Sequence, residues 1–385
     1  MAPERYGSYL VYEQLGKGGM ATVHRAEQDT RQGIRQVALK RLVPTLDRRL
    51  VSLFLDEARL LRYLHHPNIP ETYDSGRVFG TYFIAMEYIP GRTLKELVEQ
   101  CRKIGPVPQA IVLNLATQLC DALDYAHKRR DEQDRPLGII HRDVTPANLI
   151  LSATGVLKLV DFGLAKAARA SEPSVAGVIK GKLGYVAPEY TRGEEIDHRA
   201  DLWAVGIILY ELLTGGRQLF DGPNAVDTIA RVRALPIPRP SLANPQVHPG
   251  VDEIVLSALE RDPRRRWPSA ASMRDRIRAV SAQLGDPADN QRVLEWVSDA
   301  FQRRGRAVQL TPMVPMPIYP GTSAEPAART APPAPEQPRR RVWIACAAAI
   351  ALLVIGVLAW AIVHARHAAP TVPAGHAAPA GPPRG

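Results

Sequence analysis

Cysteine is scarce in this chain, and the chain does not begin with an apolar run. Its 385 residues include three cysteines, Cys101, Cys120 and Cys346, which lack the spacing of metal ligands. We interpret them as reduced, structural residues. The N-terminal sequence MAPERYGSYL lacks the charged and then apolar profile of a signal peptide. Both absences predict that the front of the chain stays in the cytosol, where it is made.

Aromatic residues are also few, at 6% of the sequence, although the net charge is +10. Much of the positive charge lies in Arg261–Arg266, Arg303–Arg306 and Arg339–Arg341, without the interleaved aromatic residues that stack on bases. We therefore expect no nucleic-acid partner. Because 45% of the residues are hydrophobic, the chain can bury one large core or two modest ones. That is enough for a two-lobed unit with appendages.

Two carboxylates and one amide stand out in the middle of the chain. Asp143 and Asn148 lie within Ile139–Leu151, and Asp161 follows in the sequence Asp161-Phe162-Gly163. The short apolar runs around them are typical of strands. Carboxylate and amide oxygens are hard ligands that suit Mg²⁺, and a carboxylate can orient a hydroxyl for phosphoryl transfer. The sequence therefore predicts a magnesium and phosphoryl-transfer site.

The beginning of the chain predicts a phosphate-binding hairpin. Tyr9–Val23 alternates apolar residues around Gly16, Gly18 and Gly19, which is the pattern of two strands joined by a tight turn. Glycines let the backbone approach a bound anion closely, because no Cβ intervenes. Since a glycine-rich hairpin is more often an ordinary turn, this interpretation depends on the residues that follow.

A lysine and a glutamate follow in positions that favour an ion pair. Lys40 ends the apolar strand Val37–Lys40, where a lone lysine is usually a solvated edge residue. Glu57, however, lies among leucines on one face of a predicted helix, Leu50–Leu64. A carboxylate in an apolar stripe is costly unless a cation neutralises it. Lys40 is the candidate, and the paired lysine would hold the α- and β-phosphates of ATP.

Strands give way to helices at about residue 90, and a set of ordered motifs runs through both parts. The motifs are Gly16–Val23, Val37–Lys40, Glu57, His141–Asn148, Asp161–Gly163, Ala187–Glu189, Asp201–Gly206 and Arg266. In this order, residues 9–285 resemble a bacterial, eukaryotic-like (Hanks-type) serine/threonine protein kinase. The resemblance implies an α+β, two-lobed protein-kinase fold. A small antiparallel β-sheet lobe with one helix (about 9–89) would precede a larger, mainly helical lobe (about 90–285).

The resemblance also assigns roles to these residues. Asp143 would accept the proton of the substrate hydroxyl, and Asn148 and Asp161 would hold Mg²⁺. Lys40 and Glu57 would position the phosphates of ATP. The residues assigned to nucleotide binding are Leu15, Gly16, Lys17, Gly18, Gly19, Val23, Ala38, Lys40, Met86, Glu87, Ile89 and Ile150. For the apolar members, an ordinary core position is an equally good interpretation.

Three residues depart from the pattern of the family. Ala21 replaces the third glycine, which predicts looser cover of the phosphates. Serine/threonine members usually carry a lysine where this chain has Thr145 and a threonine where it has Lys182, and the two side chains meet at the catalytic aspartate. We hypothesise an exchange, in which Lys182 supplies the cation for the γ-phosphate and Thr145 the hydroxyl contact. Alternatively, Lys182 is a surface residue and activity is reduced.

Two further matches are architectural. Asp201 is similar to the aspartate with which the family braces the backbone of its catalytic loop. Glu189 and Arg266 resemble the buried ion pair of its helical lobe. Both matches predict contacts between residues that are far apart in the sequence.

A polar segment, Gly163–Lys182, separates the central site from Glu189 and contains two hydroxyl residues, Ser171 and Ser174. We expect phosphorylation of one of them to order the segment. The guanidinium of Arg142 is suited to the phosphate because it can bind two phosphate oxygens at once.

The C-terminal part predicts a membrane anchor. Residues 286–304 favour an accessory amphipathic helix that packs on the catalytic unit, with partner binding as the alternative. Residues 305–341 are proline-rich and predict a disordered juxtamembrane linker. Val342–Val363 is an uncharged apolar run of 22 residues, long enough as a helix to cross a hydrocarbon core of roughly 30 Å. Arg339–Arg341 would stay inside, leaving residues 364–385 as a short, disordered extracytoplasmic tail.

These observations predict a single-pass kinase of the cell membrane, with its kinase domain in the cytoplasm. It would use MgATP to phosphorylate serine and threonine hydroxyls of proteins, itself included. Pairing of the membrane helix through Ala347 and Ala351 would form a homodimer for trans-autophosphorylation. A catalytically weak pseudokinase or scaffold is the alternative that Ala21 and Thr145 favour. A small-molecule kinase is disfavoured, because Ala187–Glu189 and the long segment before it suit a protein substrate.

Overall fold

The computed structural model describes residues 3–45, 47–162 and 182–302, which all belong to one compact unit, Met1–Met316. The predicted linker, membrane helix and tail (305–385) lie outside the described residues, as do Ser171 and Ser174. Among the helices that are described, none has the length and apolarity needed to cross a membrane.

The N-terminal lobe is built on an antiparallel sheet with the strand order β1-β2-β3-β4-β6-β5. Its strands are β1 (Glu4–Tyr6), β2 (Tyr9–Lys17), β3 (Ala21–Thr30), β4 (Gly33–Leu42), β5 (Thr72–Val78) and β6 (Thr81–Glu87). The predicted hairpin in Tyr9–Val23 corresponds to β2 and the start of β3. The sheet begins at Glu4, before the predicted boundary at residue 9, because β1 pairs with β2 and the side chain of Tyr6 packs edge-on against Phe79 and Phe83. These contacts extend the lobe.

One helix, α1 (Arg48–Leu61), completes this lobe. It begins after Asp47, whose side chain accepts a hydrogen bond from the Arg49 N–H at 2.8 Å, so it starts earlier than the predicted Leu50. Leu53, Phe54, Ala58 and Leu61 bury one face, and Glu57 lies on that face with 2% exposure. The predicted carboxylate in an apolar stripe is therefore present.

The C-terminal lobe is mainly helical. Its helices are α2 (Leu94–Ile104), α3 (Gln109–His127), α4 (Pro188–Arg192), α5 (Arg199–Leu213), α6 (Ala225–Ala234), α7 (Pro240–Ala243), α8 (Pro249–Ala258), α9 (Ala270–Gln283) and α10 (Asn290–Gln302). Helix α5 is central, because almost all of its residues are buried and its Trp203 stacks on Phe220 with ring centroids 5.6 Å apart. The lobe thus has one core around α5.

A second, three-stranded sheet carries the central motifs. It consists of β7 (Gly91–Thr93), β8 (Leu149–Ser152) and β9 (Leu157–Leu159), in the order β7-β8-β9. The prediction that apolar strands flank Asp143 on both sides is wrong on the N-terminal side. Ile139 and Ile140 form no strand, and the next residue, His141, donates its backbone N–H to the Asp201 carboxylate instead of to a neighbouring strand.

Helix α10 confirms the prediction that residues after the kinase motifs pack on the catalytic unit. Val293, Val297 and Ala300 are buried, and Gln100 of α2 donates a hydrogen bond to the Ala300 carbonyl at 2.6 Å. A Cβ at Gly155 would overlap the carbonyl oxygen of Asn290, so glycine permits this close approach. The helix is therefore part of the folded unit.

Candidate active site

The loop that carries Asp143 is held in a strained conformation by a buried carboxylate. Arg142 has φ +62°, a left-handed value that is uncommon for a residue with a side chain. Asp201, in the first turn of α5, accepts hydrogen bonds from the backbone N–H groups of His141 and Arg142, both at 2.8 Å. Asp201 is 1% exposed. These hydrogen bonds confirm the predicted contact between Asp201 and the backbone of the catalytic loop. They also hold Arg142 in its strained conformation.

Asp201 has a third partner that the sequence did not predict. The Nε2 atom of His127, at the end of α3, lies 2.8 Å from Asp201 Oδ2. Burial alone would raise the pKa of Asp201, but the hydrogen bond and charge of His127, together with the charge and backbone N–H of His141, outweigh it and lower the pKa. Asp201 is therefore a carboxylate at neutral pH, which is the form that accepts two N–H groups.

Lys40, Glu57 and Asp161 form a charged cluster between the sheet and the catalytic loop. Lys40 Nζ lies 2.6 Å from Glu57 Oε1 and 3.1 Å from Asp161 Oδ1. Burial would lower the pKa of Lys40, but the two carboxylates outweigh this effect and raise it. The ammonium in turn holds the pKa of Asp161 below its usual range. Burial raises the pKa of Glu57 against the opposing effect of Lys40. Lys40 and Asp161 are therefore the two groups whose charged forms the cluster favours.

Asp161 and Asn148 are the two residues predicted to hold a cation together with a nucleotide. Asp161 has φ +57°, which marks a constrained position, and its side chain is 45% exposed. The Asn148 Nδ2 donates to the Asp143 carbonyl at 2.8 Å, which leaves Oδ1 as the ligand atom. No group of three or more His, Cys, Asp or Glu in the described ranges could hold a metal ion. Phosphate oxygens and water would complete the octahedron that Mg²⁺ requires.

Lys182 reaches Asp143 across a long sequence separation. Its Nζ lies 2.9 Å from Asp143 Oδ2, and the side chain is 33% exposed. Thr145 is buried at 4% exposure, and its hydroxyl makes no hydrogen bond with the described residues. The structure thus brings Lys182 to the catalytic loop and does not give Thr145 the contact that we hypothesised. The roles of both residues toward ATP stay predictions.

The apolar residues assigned to adenine differ in exposure. Val23, Met86 and Ile150 are partly exposed, Leu15 is 46% exposed, and Ala38 is buried at 9%. The assignment to adenine stays a prediction. Most assigned residues lie on the same strands or beside them: Leu15, Gly16 and Lys17 at the end of β2, Gly18 and Gly19 in the turn before β3, Ala38 and Lys40 on β4, and Glu87 and Ile89 at and after the end of β6.

Two partly buried contacts were not predicted from the sequence. The Tyr185 hydroxyl donates to Glu211 Oε2 at 2.7 Å, and burial raises the pKa of Glu211 to about 7. Lys158 of β9 lies 2.7 Å from Glu87 Oε2 and connects the two sheets. Glu87 and Lys158 have ordinary surface-residue types, so their pattern gives no signal. Glu211 lies in the apolar part of α5, a signal of the kind that identified Glu57.

The architectural pair of the helical lobe is confirmed. Arg266 donates to both oxygens of Glu189, each at 2.7 Å, and the two side chains are 0% and 2% exposed. This contact ties α4 to the loop before α9. The ion pair fixes the position of α4 and of the short turn Leu183–Tyr185 that precedes it.

Comparison with known proteins agrees with this architecture. The family described as "Protein kinase domain" matches residues 9–276, so the chain belongs to the protein kinase family. The Mycobacterium tuberculosis PknI kinase domain superimposes with a TM-score of 0.54 at 28% identity, over 73% of this chain and 98% of that chain. The fold and the family are therefore established for most of the chain.

The relatives include one protein named as a tyrosine kinase and others named as serine/threonine kinases. Tyrosine-protein kinase MasK of Myxococcus xanthus is 36% identical over 276 residues, which cover 71% of this chain and 43% of MasK. Serine/threonine-protein kinase PrkC of Bacillus subtilis is 34% identical over 276 residues, covering 71% and 40%. A probable serine/threonine-protein kinase of Streptomyces coelicolor, SCO3848, is 39% identical over 287 residues, covering 72% and 40%. The chain spans less than half the length of these curated relatives.

Proposed function

We propose that this chain transfers the γ-phosphate of ATP to serine and threonine hydroxyls of proteins, including its own. The observation that carries the proposal is the charged cluster of Lys40, Glu57 and Asp161 beside a braced Asp143. Phosphoryl transfer depends mainly on alignment and charge neutralisation, and a protein kinase domain with these groups in contact supplies both.

Each side chain then has a task that its environment supports. Asp143 would accept the proton of the substrate hydroxyl, and Lys40, held by Glu57, would bind the α- and β-phosphates. Asn148 and Asp161 would hold Mg²⁺, which neutralises charge on the phosphates when bound. The Glu87 N–H is already engaged by the Glu71 carbonyl at 2.8 Å, so an adenine contact at Glu87 would use its carbonyl.

Lys182 would provide the cation for the γ-phosphate. Support comes from its ammonium, which lies 2.9 Å from Asp143 although the catalytic loop has Thr145 where a lysine is usual. A transferring phosphoryl group carries negative charge on three oxygens, so a cation beside the base stabilises the transition state. The buried Thr145 hydroxyl is available for a contact that forms only when substrate is bound.

The acceptor hydroxyl can be tested directly, and the relatives include a named tyrosine kinase as well as serine/threonine kinases. We expect the full chain, given Mg²⁺ and ATP labelled at the γ-phosphate, to label itself on serine or threonine, as read by phosphoamino-acid analysis. Label on tyrosine alone would refute the acceptor class. No incorporation would leave a nucleotide-binding scaffold as the function.

We also propose that residues 342–363 anchor the kinase in the cell membrane, with the kinase domain in the cytoplasm. The support is the length of the uncharged run and the adjacent Arg339–Arg341. We expect the full chain to sediment with membranes and to resist carbonate extraction. A chain that ends at residue 305 is the control and should stay in the supernatant. Equal distribution of the two would contradict the anchor.

A further inference from the structure

The contact between Lys182 and Asp143 joins two segments that are anchored separately to helix α5. Asp201, in the first turn of the helix, fixes the backbone just before Asp143. Glu211, in its last turn, holds the segment that carries Lys182. Asp201 and Glu211 are ten positions apart, which is about 15 Å along a helix axis. One buried helix therefore fixes both sides of the contact.

The anchor at Glu211 acts on Lys182 through one short turn. Leu183–Tyr185 is a 3₁₀ turn, in which the Tyr185 N–H donates to the Lys182 carbonyl at 3.2 Å. The Tyr185 hydroxyl donates to Glu211 Oε2 at 2.7 Å, and Glu211 is 1% exposed. Leu183 is also buried. A rotation of this backbone turn that moves Lys182 away from Asp143 would thus disturb the hydrogen bond between Tyr185 and Glu211.

Lys182 needs such an anchor more than a lysine of the catalytic loop would. A lysine side chain has high rotamer entropy, and its ammonium is a point charge without a preferred direction. Lys182 is one-third exposed, and it lies 39 residues from Asp143 in the sequence. Its ammonium therefore reaches the carboxylate reliably only if the backbone of its own segment is fixed.

We propose that Tyr185 and Glu211 are positioning residues for phosphate transfer, because their hydrogen bond holds the Lys182 ammonium at Asp143. This inference rests on the proposed function of Lys182. It makes the rate depend on Tyr185 for a reason particular to this chain: the cation comes from the segment that begins at Lys182 instead of from the catalytic loop. The dependence should disappear when the lysine returns to position 145.

A comparison in two backgrounds tests this dependence in the full chain. Tyr185→Phe removes the hydroxyl and keeps the ring, and we expect the phosphate-transfer rate to fall about tenfold, as for the loss of one strong intramolecular hydrogen bond. The KM for ATP should stay nearly constant. In the exchanged variant, Thr145→Lys with Lys182→Thr, the same Tyr185→Phe change should have an effect of less than about twofold. An equal fall in both backgrounds would overturn the inference, since it would indicate a purely structural role.

Glu211 provides a conservative rescue. Glu211→Gln keeps an oxygen that can accept from the Tyr185 hydroxyl, whereas Glu211→Leu removes it. We expect Gln to restore most of the rate lost with Leu, with both variants compared at temperatures well below their melting points. Equal rates for Gln and Leu would contradict the positioning role.

Chemical labelling of lysines gives a readout that does not require phosphate transfer. Treated briefly with an amine-reactive ester and read by peptide mass spectrometry, Lys182 should react several-fold faster in Tyr185→Phe and in Asp143→Asn than in the wild type. Lys95, with a 65% exposed side chain, is the internal reference. Unchanged labelling of Lys182 in Tyr185→Phe would overturn the inference. Faster labelling in a chain whose wild type transfers no phosphate would instead remove the proposed function and leave the positioning contact supported.

Discussion

Replacement of Asp143 by asparagine is expected to lower phosphate transfer by a factor of about 10²–10⁴, the usual contribution of a general base. Asparagine keeps the size of the side chain but cannot accept the hydroxyl proton, and it leaves the Lys182 ammonium without its charged partner at 2.9 Å. The measurement is incorporation of γ-labelled phosphate by the full chain with Mg²⁺, together with nucleotide binding, which should be retained.

The control for this change is Asp134→Asn, in an exposed turn before the catalytic loop. Asp134 has an 88% exposed side chain and φ +59°, a conformation that asparagine also tolerates. We expect this variant to transfer phosphate at the wild-type rate. Equal incorporation by the wild type and Asp143→Asn would refute the role of Asp143 as the base.

Arg266→Ala is expected to destabilise the kinase domain by about 3–5 kcal/mol, because it leaves Glu189 buried without its cation. The guanidinium donates to both Glu189 oxygens and to the Glu260 carbonyl, each at 2.7 Å, and lies 5.2 Å from the centre of the Trp203 ring. No water can replace these contacts easily, since the Arg266 side chain is 0% exposed. The free energy of unfolding, from urea denaturation, measures the loss.

Arg264→Ala is the matched control for Arg266→Ala. Arg264 pairs with Asp262 at the surface, where its side chain is 86% exposed, so its removal should cost less than about 1 kcal/mol. A double variant, Glu189→Leu with Arg266→Met, should be more stable than Arg266→Ala, because it buries no unpaired charge. Comparable losses for Arg264→Ala and Arg266→Ala would contradict the importance of the buried pair.

A contact can be predicted from the sequence when one of its residues has an unusual type for its position. Glu57 is an acid on an apolar helix face, and such an acid needs a cation, so the pair with Lys40 followed from the sequence pattern. The brace by Asp201 and the pair of Glu189 with Arg266 came from family resemblance alone. Their partners are distant, and nothing in the local pattern identifies them. The structure contains all three contacts.

Other features depend on tertiary packing that a pattern does not encode. The left-handed backbone of Arg142 and Asp161 occurs at residues other than glycine, so the sequence gives no local signal for this conformation there. His127, Tyr185 and Glu211 contribute through single hydrogen bonds to residues 26 or more positions away. Ile139 and Ile140 have strand composition, but the brace on the following residues competes with strand pairing. At each of these positions, tertiary contacts outweigh the conformational preference of the local sequence.

The packing of α10 also has a mechanical consequence. Its last turn is bonded to α2 through Gln100, and the ring of Phe301 lies under the guanidinium of Arg92 in β7, 4.1 Å from the ring centre. A pulling force applied to the chain after residue 302 would therefore act first on α2 and β7. These two elements directly follow the strand that ends at Glu87. Tension on the C-terminal segment would act beside the junction of the two lobes instead of at the far end of the helical lobe.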